Sequence, residues 1–170
     1  MKTIKIFSQS TILEQFSYKI TSDNFTYKAF TELPSPIKSI LKEKRAYLLK
    51  ISVINENNEI ISIFKNYQSP ITSNLFEIIA NNTTYYLKES NNFRMPDFFI
   101  NTDFGKVEIS GLIAKGEYFI NINNKKIANI NTYKSKEKKE YNLEYDTDYD
   151  ILKELLISIV LILDNLYHYY

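Results

Sequence analysis

The stretch that decides the fold lies near the C-terminus, where residues 146–164 read DTDYDILKELLISIVLILD. From Ile151 to Leu163 the apolar residues are distributed around the whole circumference of the helix that they predict. A helix of this kind must be enclosed by protein or by lipid. Its apolar part would be about 20 Å long at ~1.5 Å per residue, which falls short of the ~30 Å hydrocarbon core of a bilayer. We therefore expect a helix that is surrounded by protein.

The helix is preceded by an acidic turn. Thr147 or Asp148 is expected to cap the helix by accepting hydrogen bonds from free amide groups of its first turn. Four carboxylates complement the positive end of the helix dipole. They are Asp146, Asp148, Asp150 and Glu154. Further along, Ser158 is expected to donate to the carbonyl one turn back, as serine does in a helix interior.

Calcium binding is the alternative interpretation of this turn. Asp146, Asp148 and Asp150 have the alternating spacing of the first three acidic ligands of an EF-hand. That motif also requires glycine at its sixth position and glutamate at its twelfth, where the chain has Ile151 and Ile157. The EF-hand is therefore excluded, and a different calcium site on the three aspartates remains as the alternative to capping.

The rest of the chain alternates apolar and polar residues in short runs, which is the pattern of antiparallel strands with one buried face. Asparagine pairs at 57–58, 81–82 and 123–124 tolerate the left-handed backbone of tight hairpins, and Gly105 and Gly116 serve the same purpose. Twelve strands are predicted, near residues 3–8, 14–20, 24–31, 46–54, 59–65, 74–80, 84–89, 97–102, 105–113, 116–123, 125–133 and 139–145.

One segment departs from the strand pattern. Ser35 is expected to cap a short amphipathic helix over residues 36–45, with Pro36 at its first position. The basic residues Lys38, Lys42 and Arg45 share one face of this helix, opposite an apolar face. The basic face is either offered to anionic lipid or another acidic partner, or is an ordinary solvated face.

Length and composition bound the possible functions. The 170 residues fit a single domain, residues 1–170, and the formal charge of +1 excludes the strongly basic surface of a dedicated nucleic-acid binder. The chain contains no cysteine, so disulfides, thiolate nucleophiles and thiolate metal sites are excluded. Lys5 interrupts the apolar run that an N-terminal export signal would need. We expect a cytoplasmic protein.

Catalysis finds little support in the sequence. The single histidine, His168, is the third residue from the end of the sequence, where termini commonly fray, and no second histidine accompanies it in a metal site. The three glycines do not form a phosphate-binding loop. We expect a protein that is not an enzyme and carries no cofactor.

The last third of the chain carries a family resemblance. It contains a strand ending in Gly111, a second strand, a hairpin over 126–130, an acidic turn at Asp148 and the apolar helix ending in Asp164. This order resembles the LURP-one-related and phospholipid-scramblase-like branch of the tubby C-terminal domain superfamily, in its small bacterial members. The resemblance implies a closed all-β barrel of about twelve antiparallel strands over about 3–145, around a central helix over about 148–166. Closure removes the strand edges, and an axial helix fills a wide barrel.

The resemblance also implies a class of function. Tubby domains bind membrane phosphoinositides and scramblase-like relatives are associated with phospholipids, which implies a binding module at an anionic membrane surface. The N-terminal half, where the tubby headgroup-binding residues would fall, matches the family only in its strand rhythm, so those residues are not assigned to positions here. The sequence also lacks the cysteine-rich segment and the proline-rich N-terminal region of scramblases. From the sequence itself, basic residues are the candidates for headgroup binding. They are Lys134, Lys136, Lys138 and Lys139 in one hairpin, with Lys38, Lys42 and Arg45 on the short helix.

Two features oppose a lipid site in the lysine hairpin. Glu137 and Glu140 lie among the lysines and reduce the attraction to an anionic surface. A solvated hairpin is the ordinary interpretation of such a mixture. The alternative function is therefore a protein–protein interaction module, such as a regulator or an inhibitor of another protein, with no lipid role.

Overall fold

The described residues form a closed barrel of antiparallel strands, and an α-helix follows the last strand. The computed structural model describes residues 1–9, 17–32, 50–56, 58–66, 74–90, 97–134 and 139–167. Each strand pairs with the strands before and after it in the sequence, and the first strand pairs with the last. The strands are β1 (Lys2–Gln9), β2 (Ser17–Ser22), β3 (Phe25–Glu32), β4 (Lys50–Asn55), β5 (Asn58–Lys65), β6 (Asn74–Ala80), β7 (Thr83–Glu89), β8 (Asp97–Thr102), β9 (Gly105–Leu112), β10 (Glu117–Ile122), β11 (Lys125–Lys134) and β12 (Lys139–Tyr145).

These elements confirm the predicted twelve-stranded barrel with its C-terminal helix. The helix α1 (Lys153–Tyr167) follows a 3-10 segment, Thr147–Leu152, and another 3-10 turn, Ile113–Lys115, joins β9 to β10. The predicted amphipathic helix over 36–45 lies outside the described residues. Among the described helices, none combines the length and the apolar character that crossing a membrane requires.

Alternation of buried and more exposed residues along most strands builds the inner wall of the barrel. In β12 every second residue is buried, from Lys139 through Tyr141 and Leu143 to Tyr145. In β10 the same alternation buries Tyr118, Ile120 and Ile122. Because successive side chains of a strand point to opposite faces, one face of each strand lines the interior and the other meets solvent.

The helix α1 fills this interior. All residues from Glu154 to Asn165 are buried, and Leu156 and Ile159 are fully enclosed. The hydroxyl of Ser158 donates to the carbonyl oxygen of Glu154 at 2.8 Å, which confirms the predicted bond to the preceding turn. The helix that the sequence predicts to be enclosed by protein is thus the axial core of the barrel.

The two ends of the barrel differ in their connections. At the end where α1 begins, two-residue turns join five strand pairs, and Asn81, Asn82, Asn123 and Asn124 take the predicted left-handed backbone. The turn expected at 57–58 begins one residue earlier, with Glu56 at φ 54° and Asn58 already in β5. The opposite end, where α1 finishes, is called the helix-exit end below.

Candidate functional site

A cluster of polar side chains lies inside the barrel at the helix-exit end. Asp164 of α1 is 0% exposed and Lys139 of β12 is 1% exposed. The ammonium nitrogen Nζ of Lys139 contacts Oδ1 of Asp164. The hydroxyl of Tyr18 donates to Oδ2 of Asp164 at 2.6 Å, and the hydroxyl of Tyr141 donates to Oδ1. These four residues are called the Asp164 cluster.

Strand register brings the Asp164 cluster together. On the inner face, Ser8 of β1 lies directly opposite both Lys139 of β12 and Tyr18 of β2. Tyr141 follows two residues after Lys139 on the same face. Three neighbouring strands therefore present polar groups at one height of the barrel, where α1 supplies the carboxylate.

The electrostatic setting of the cluster is that of a water-excluded interior. An ammonium and a carboxylate each cost several kcal/mol to bury, and only mutual contact with further hydrogen bonds offsets that cost. Nearby, burial raises the pKa of the Tyr118 hydroxyl, and electrostatic interactions with Tyr167 and Asp164 raise it further. Burial, followed by the charge of Glu89, raises the pKa of Tyr167 to about 12. These two phenols thus stay protonated at neutral pH.

Two more polar atoms near this level of the barrel are buried. The hydroxyl of Ser8 and the amide oxygen Oδ1 of Asn165 have no hydrogen-bond partner within the described part of the chain. Buried polar atoms are nearly always satisfied by protein or by ordered water. The helix-exit end of the core is therefore polar, in contrast to the apolar interior around Leu156.

The structure corrects the prediction for one headgroup-binding lysine. Lys139 is not exposed, because alternation along β12 places it on the inner face, against Asp164. Lys134 at the end of β11 is exposed and remains a candidate. Outside the described residues lie Lys136, Lys138, Lys38, Lys42 and Arg45, and likewise His168. The headgroup-binding roles of the four lysines and Arg45 stay predictions.

The acidic turn before α1 caps the helical segment differently from the prediction. The carboxylate of Asp146, rather than Thr147 or Asp148, accepts a hydrogen bond from the amide of Asp148 at 3.2 Å. Its other oxygen is 3.1 Å from Nζ of Lys125. Asp146, the residue before the 3-10 segment, has the extended backbone of a cap. The cap therefore lies one residue earlier than expected.

The aspartates proposed for calcium have separate partners. Asp150 accepts from the hydroxyl of Tyr145 at 2.6 Å and lies 2.9 Å from Nζ of Lys2. Asp146 is bound instead by Lys125. Across the described ranges, no group of three or more histidines and carboxylates could hold a metal ion. The carboxylates of Asp146 and Asp150 are thus engaged in capping and ion pairing.

Acid pH is expected to weaken the fold through this turn. Hydrogen bonds from the Asp148 amide and from Lys125 hold the pKa of Asp146 below 3.8, and Lys2 and then Tyr145 do the same for Asp150. A lowered pKa in the folded state means stabilisation that is present above the unfolded value and lost as pH falls through the folded value.

We therefore expect the free energy of unfolding to decline below about pH 4, near the ordinary value for aspartate. The double variant Asp146→Asn/Asp150→Asn should flatten this decline. Urea denaturation at several pH values between about 2 and 6 measures it. An identical pH dependence in the double variant would show that these carboxylates do not contribute.

A second polar feature lies on the outer face of β1, β2 and β3. Lys19 of β2 lies directly opposite Lys28 of β3, and both side chains are exposed. Neither makes an ion pair or a side-chain hydrogen bond with any residue that the structure describes. Lys5 on the neighbouring strand lies 3.8 Å from Glu140. Lys19 and Lys28 are called the lysine pair.

Apolar side chains flank the lysine pair. Phe7 lies opposite Lys19 on β1, and Ile54 lies opposite Lys28 on β4. Both are half-buried. Like charges directly opposite each other on adjacent strands destabilise a sheet, so the lysine pair costs stability unless an anion lies between the two ammonium groups.

Sequence reasoning missed the lysine pair because it depends on register. The two-residue turn at 23–24 places Ser22 opposite Phe25, and three residues further along it places Lys19 opposite Lys28. The predicted strands 14–20 and 24–31 contain the two lysines. The ends of predicted strands are uncertain by a few residues, so they do not define which residues of the two strands lie opposite each other. An Asp-Asn turn between them was the available signal.

Comparison with known proteins adds no relative: no protein-family model, no curated protein and no solved structure matches the chain. Function must therefore be inferred from the geometry of the barrel itself.

Proposed function

We propose that this protein is a non-enzymatic binding module that associates with anionic phospholipid headgroups, phosphoinositides included, at a membrane surface. This is the function implied by the resemblance to the tubby-like, LURP-one-related and scramblase-like domains. The observation that supports it is the lysine pair, two adjacent exposed ammonium groups that no described carboxylate neutralises. Near an anionic membrane each such lysine contributes about 1 kcal/mol.

The setting of the lysine pair suits a membrane surface. Phe7 and Ile54 provide apolar contacts on either side of the two charges. The pair lies on hydrogen-bonded strands of a closed barrel, so the register fixes the two lysines beside each other. An anionic headgroup between them would remove the repulsion that the free protein bears, and binding would be favoured by that relief.

A protein partner is the second candidate. On the outer face of β5, β6 and β7, the exposed fractions of Phe64, Ile79 and Tyr86 are 36%, 37% and 42%. Phe64 and Tyr86 lie on either side of Glu77 in the register. Neighbouring apolar side chains on one face favour contact with another protein. Lys50 of β4 lies opposite Phe64 in the register, but its ammonium is 2.7 Å from Glu59. The paired lysine of this face thus differs from the lysine pair, which has no described carboxylate partner.

Vesicle binding tests the lipid proposal. The variant Lys19→Gln/Lys28→Gln should bind vesicles containing anionic phospholipid about 30-fold more weakly, since it loses about 2 kcal/mol of attraction. Binding of the wild type should also fall steeply toward ~1 M salt, where the Debye length is only ~3 Å. Sedimentation with vesicles of defined composition measures both effects.

The matched control is Lys106→Gln/Lys126→Gln, which removes the same charge from exposed positions on other strands. It should bind nearly as well as the wild type. An equal loss in the two variants would show that net charge alone matters. If the wild type binds no anionic vesicle, the lipid role is wrong and the protein partner becomes the better candidate.

A further inference from the structure

The Asp164 cluster has a chemical possibility beyond ion pairing. The amine nitrogen of Lys139 lies against the carboxyl group of Asp164 in a region from which water is excluded. The carboxyl group also accepts hydrogen bonds from two phenols, one on each oxygen. A nucleophile, an electrophilic carbon and two proton donors are thus held together by four separate positions of the fold.

The reaction requires the uncharged form of this pair. Transfer of one proton from the Lys139 ammonium to the Asp164 carboxylate gives an amine and a carboxylic acid, and it removes two charges from a low-dielectric interior. The amine then has a free electron pair. Fixed proximity of two reacting groups corresponds to an effective concentration of about 10⁵ M or more when the geometry is right.

We propose that Nζ of Lys139 and Cγ of Asp164 form an intramolecular amide bond, which links β12 covalently to α1. The amine electron pair attacks Cγ, and a tetrahedral intermediate places negative charge on Oδ1. The hydroxyl of Tyr141, which donates to Oδ1, stabilises that charge. The second oxygen, Oδ2, departs as water.

Protons and charge balance in this step. The Lys139 ammonium loses two of its three protons: the first neutralises the carboxylate, and the second completes the departing water. The hydroxyl of Tyr18, at 2.6 Å from Oδ2, is placed to pass the second proton to the leaving oxygen. One C–N bond forms, one C–O bond breaks, and no oxidant, metal or nucleotide is required.

The amide would fix the helix at the place where it leaves the barrel. It closes a covalent loop between the start of β12 and the end of α1. The helix then cannot leave the barrel unless β12 is displaced with it. A crosslink of this kind stabilises a protein mainly by restricting its unfolded chain. The amide is separate from lipid binding, since the Asp164 cluster lies inside the barrel and the lysine pair lies on its outer face.

Intact-mass spectrometry of the full chain, purified in its folded form and then denatured, tests the amide. The wild type should be lighter than its sequence mass by one water molecule. Digestion with trypsin should yield a branched peptide that joins the Lys139 segment to the Asp164 segment. The variant Lys139→Arg keeps a cation against Asp164 but lacks the amine, and it should have its full sequence mass.

The variant Tyr18→Phe examines the proton relay. It keeps the aromatic ring in the core and removes the hydroxyl alone, so the folded protein should contain a measurable fraction at full mass that declines with time. Complete bond formation in this variant would overturn the role assigned to Tyr18. A folded wild type at full sequence mass, cleaved by trypsin after Lys139, would overturn the amide itself and leave an ordinary buried ion pair.

Discussion

Replacement of Leu156 by aspartate is expected to abolish folding. Leu156 is 0% exposed on the axial helix and belongs to the buried apolar core of the barrel. An unpaired carboxylate there would cost several kcal/mol, in addition to the packing lost with the leucine. The total stability of a domain is only ~5–15 kcal/mol. Ile159→Asp should have the same effect, because Ile159 is equally enclosed.

Circular dichroism and urea denaturation measure the outcome, and Ile151→Asp is the matched control. Ile151 precedes α1 by two residues and is 63% exposed, so the same substitution there should change stability by no more than about 0.5 kcal/mol. A Leu156→Asp variant that unfolds cooperatively near the wild-type midpoint would contradict the enclosed helix. The contrast between Leu156 and Ile151 also shows that the apolar run of the sequence begins before the enclosed part of the helix.

The architecture was predictable because its causes are local. Period-two alternation defines the strands, asparagine pairs define several of the turns, and the continuous apolar run defines the helix. These patterns also imply that the helix is enclosed, since a helix that is apolar on all sides can be buried against the apolar faces of the strands. The cap was misplaced by one residue, because Asp146, Thr147 and Asp148 are all competent caps and only the backbone geometry decides among them.

The candidate sites were less predictable because register sets them. Lys139 belongs to a lysine-rich stretch that resembles a solvated hairpin, and its inward direction follows only from its parity with Tyr141 and Leu143 in β12. Its partner Asp164 lies 25 residues further along the chain, on the helix. Alternation of Lys139 with the apolar residues of β12 was the available signal, but a lysine on a predicted inner face is ordinarily discounted.

Gly111→Ala is expected to cause a loss of stability almost as large as that of Leu156→Asp. Gly111 lies on the inner face of β9, opposite Tyr118 of β10. A methyl group at Gly111 would lie 2.3 Å from the carbonyl oxygen of Glu117 and 2.8 Å from Cα of Tyr118. Both are backbone atoms of a paired strand, so the clash can be relieved only by displacing β10 from the sheet. We expect a loss of about 4 kcal/mol or more, at the extreme of single substitutions.

The comparison that isolates this clash uses Ser110→Ala and the double variant Gly111→Ala/Tyr118→Leu. Ser110 is exposed on the outer face of the same strand, and its replacement should leave the urea midpoint nearly unchanged. Shortening Tyr118 removes its ring atom at 3.0 Å from the added methyl but leaves the backbone contacts in place. The double variant should therefore be no more stable than Gly111→Ala. Recovery of stability in it would mean that the tyrosine ring, rather than the approach of the two strands, requires glycine at this position.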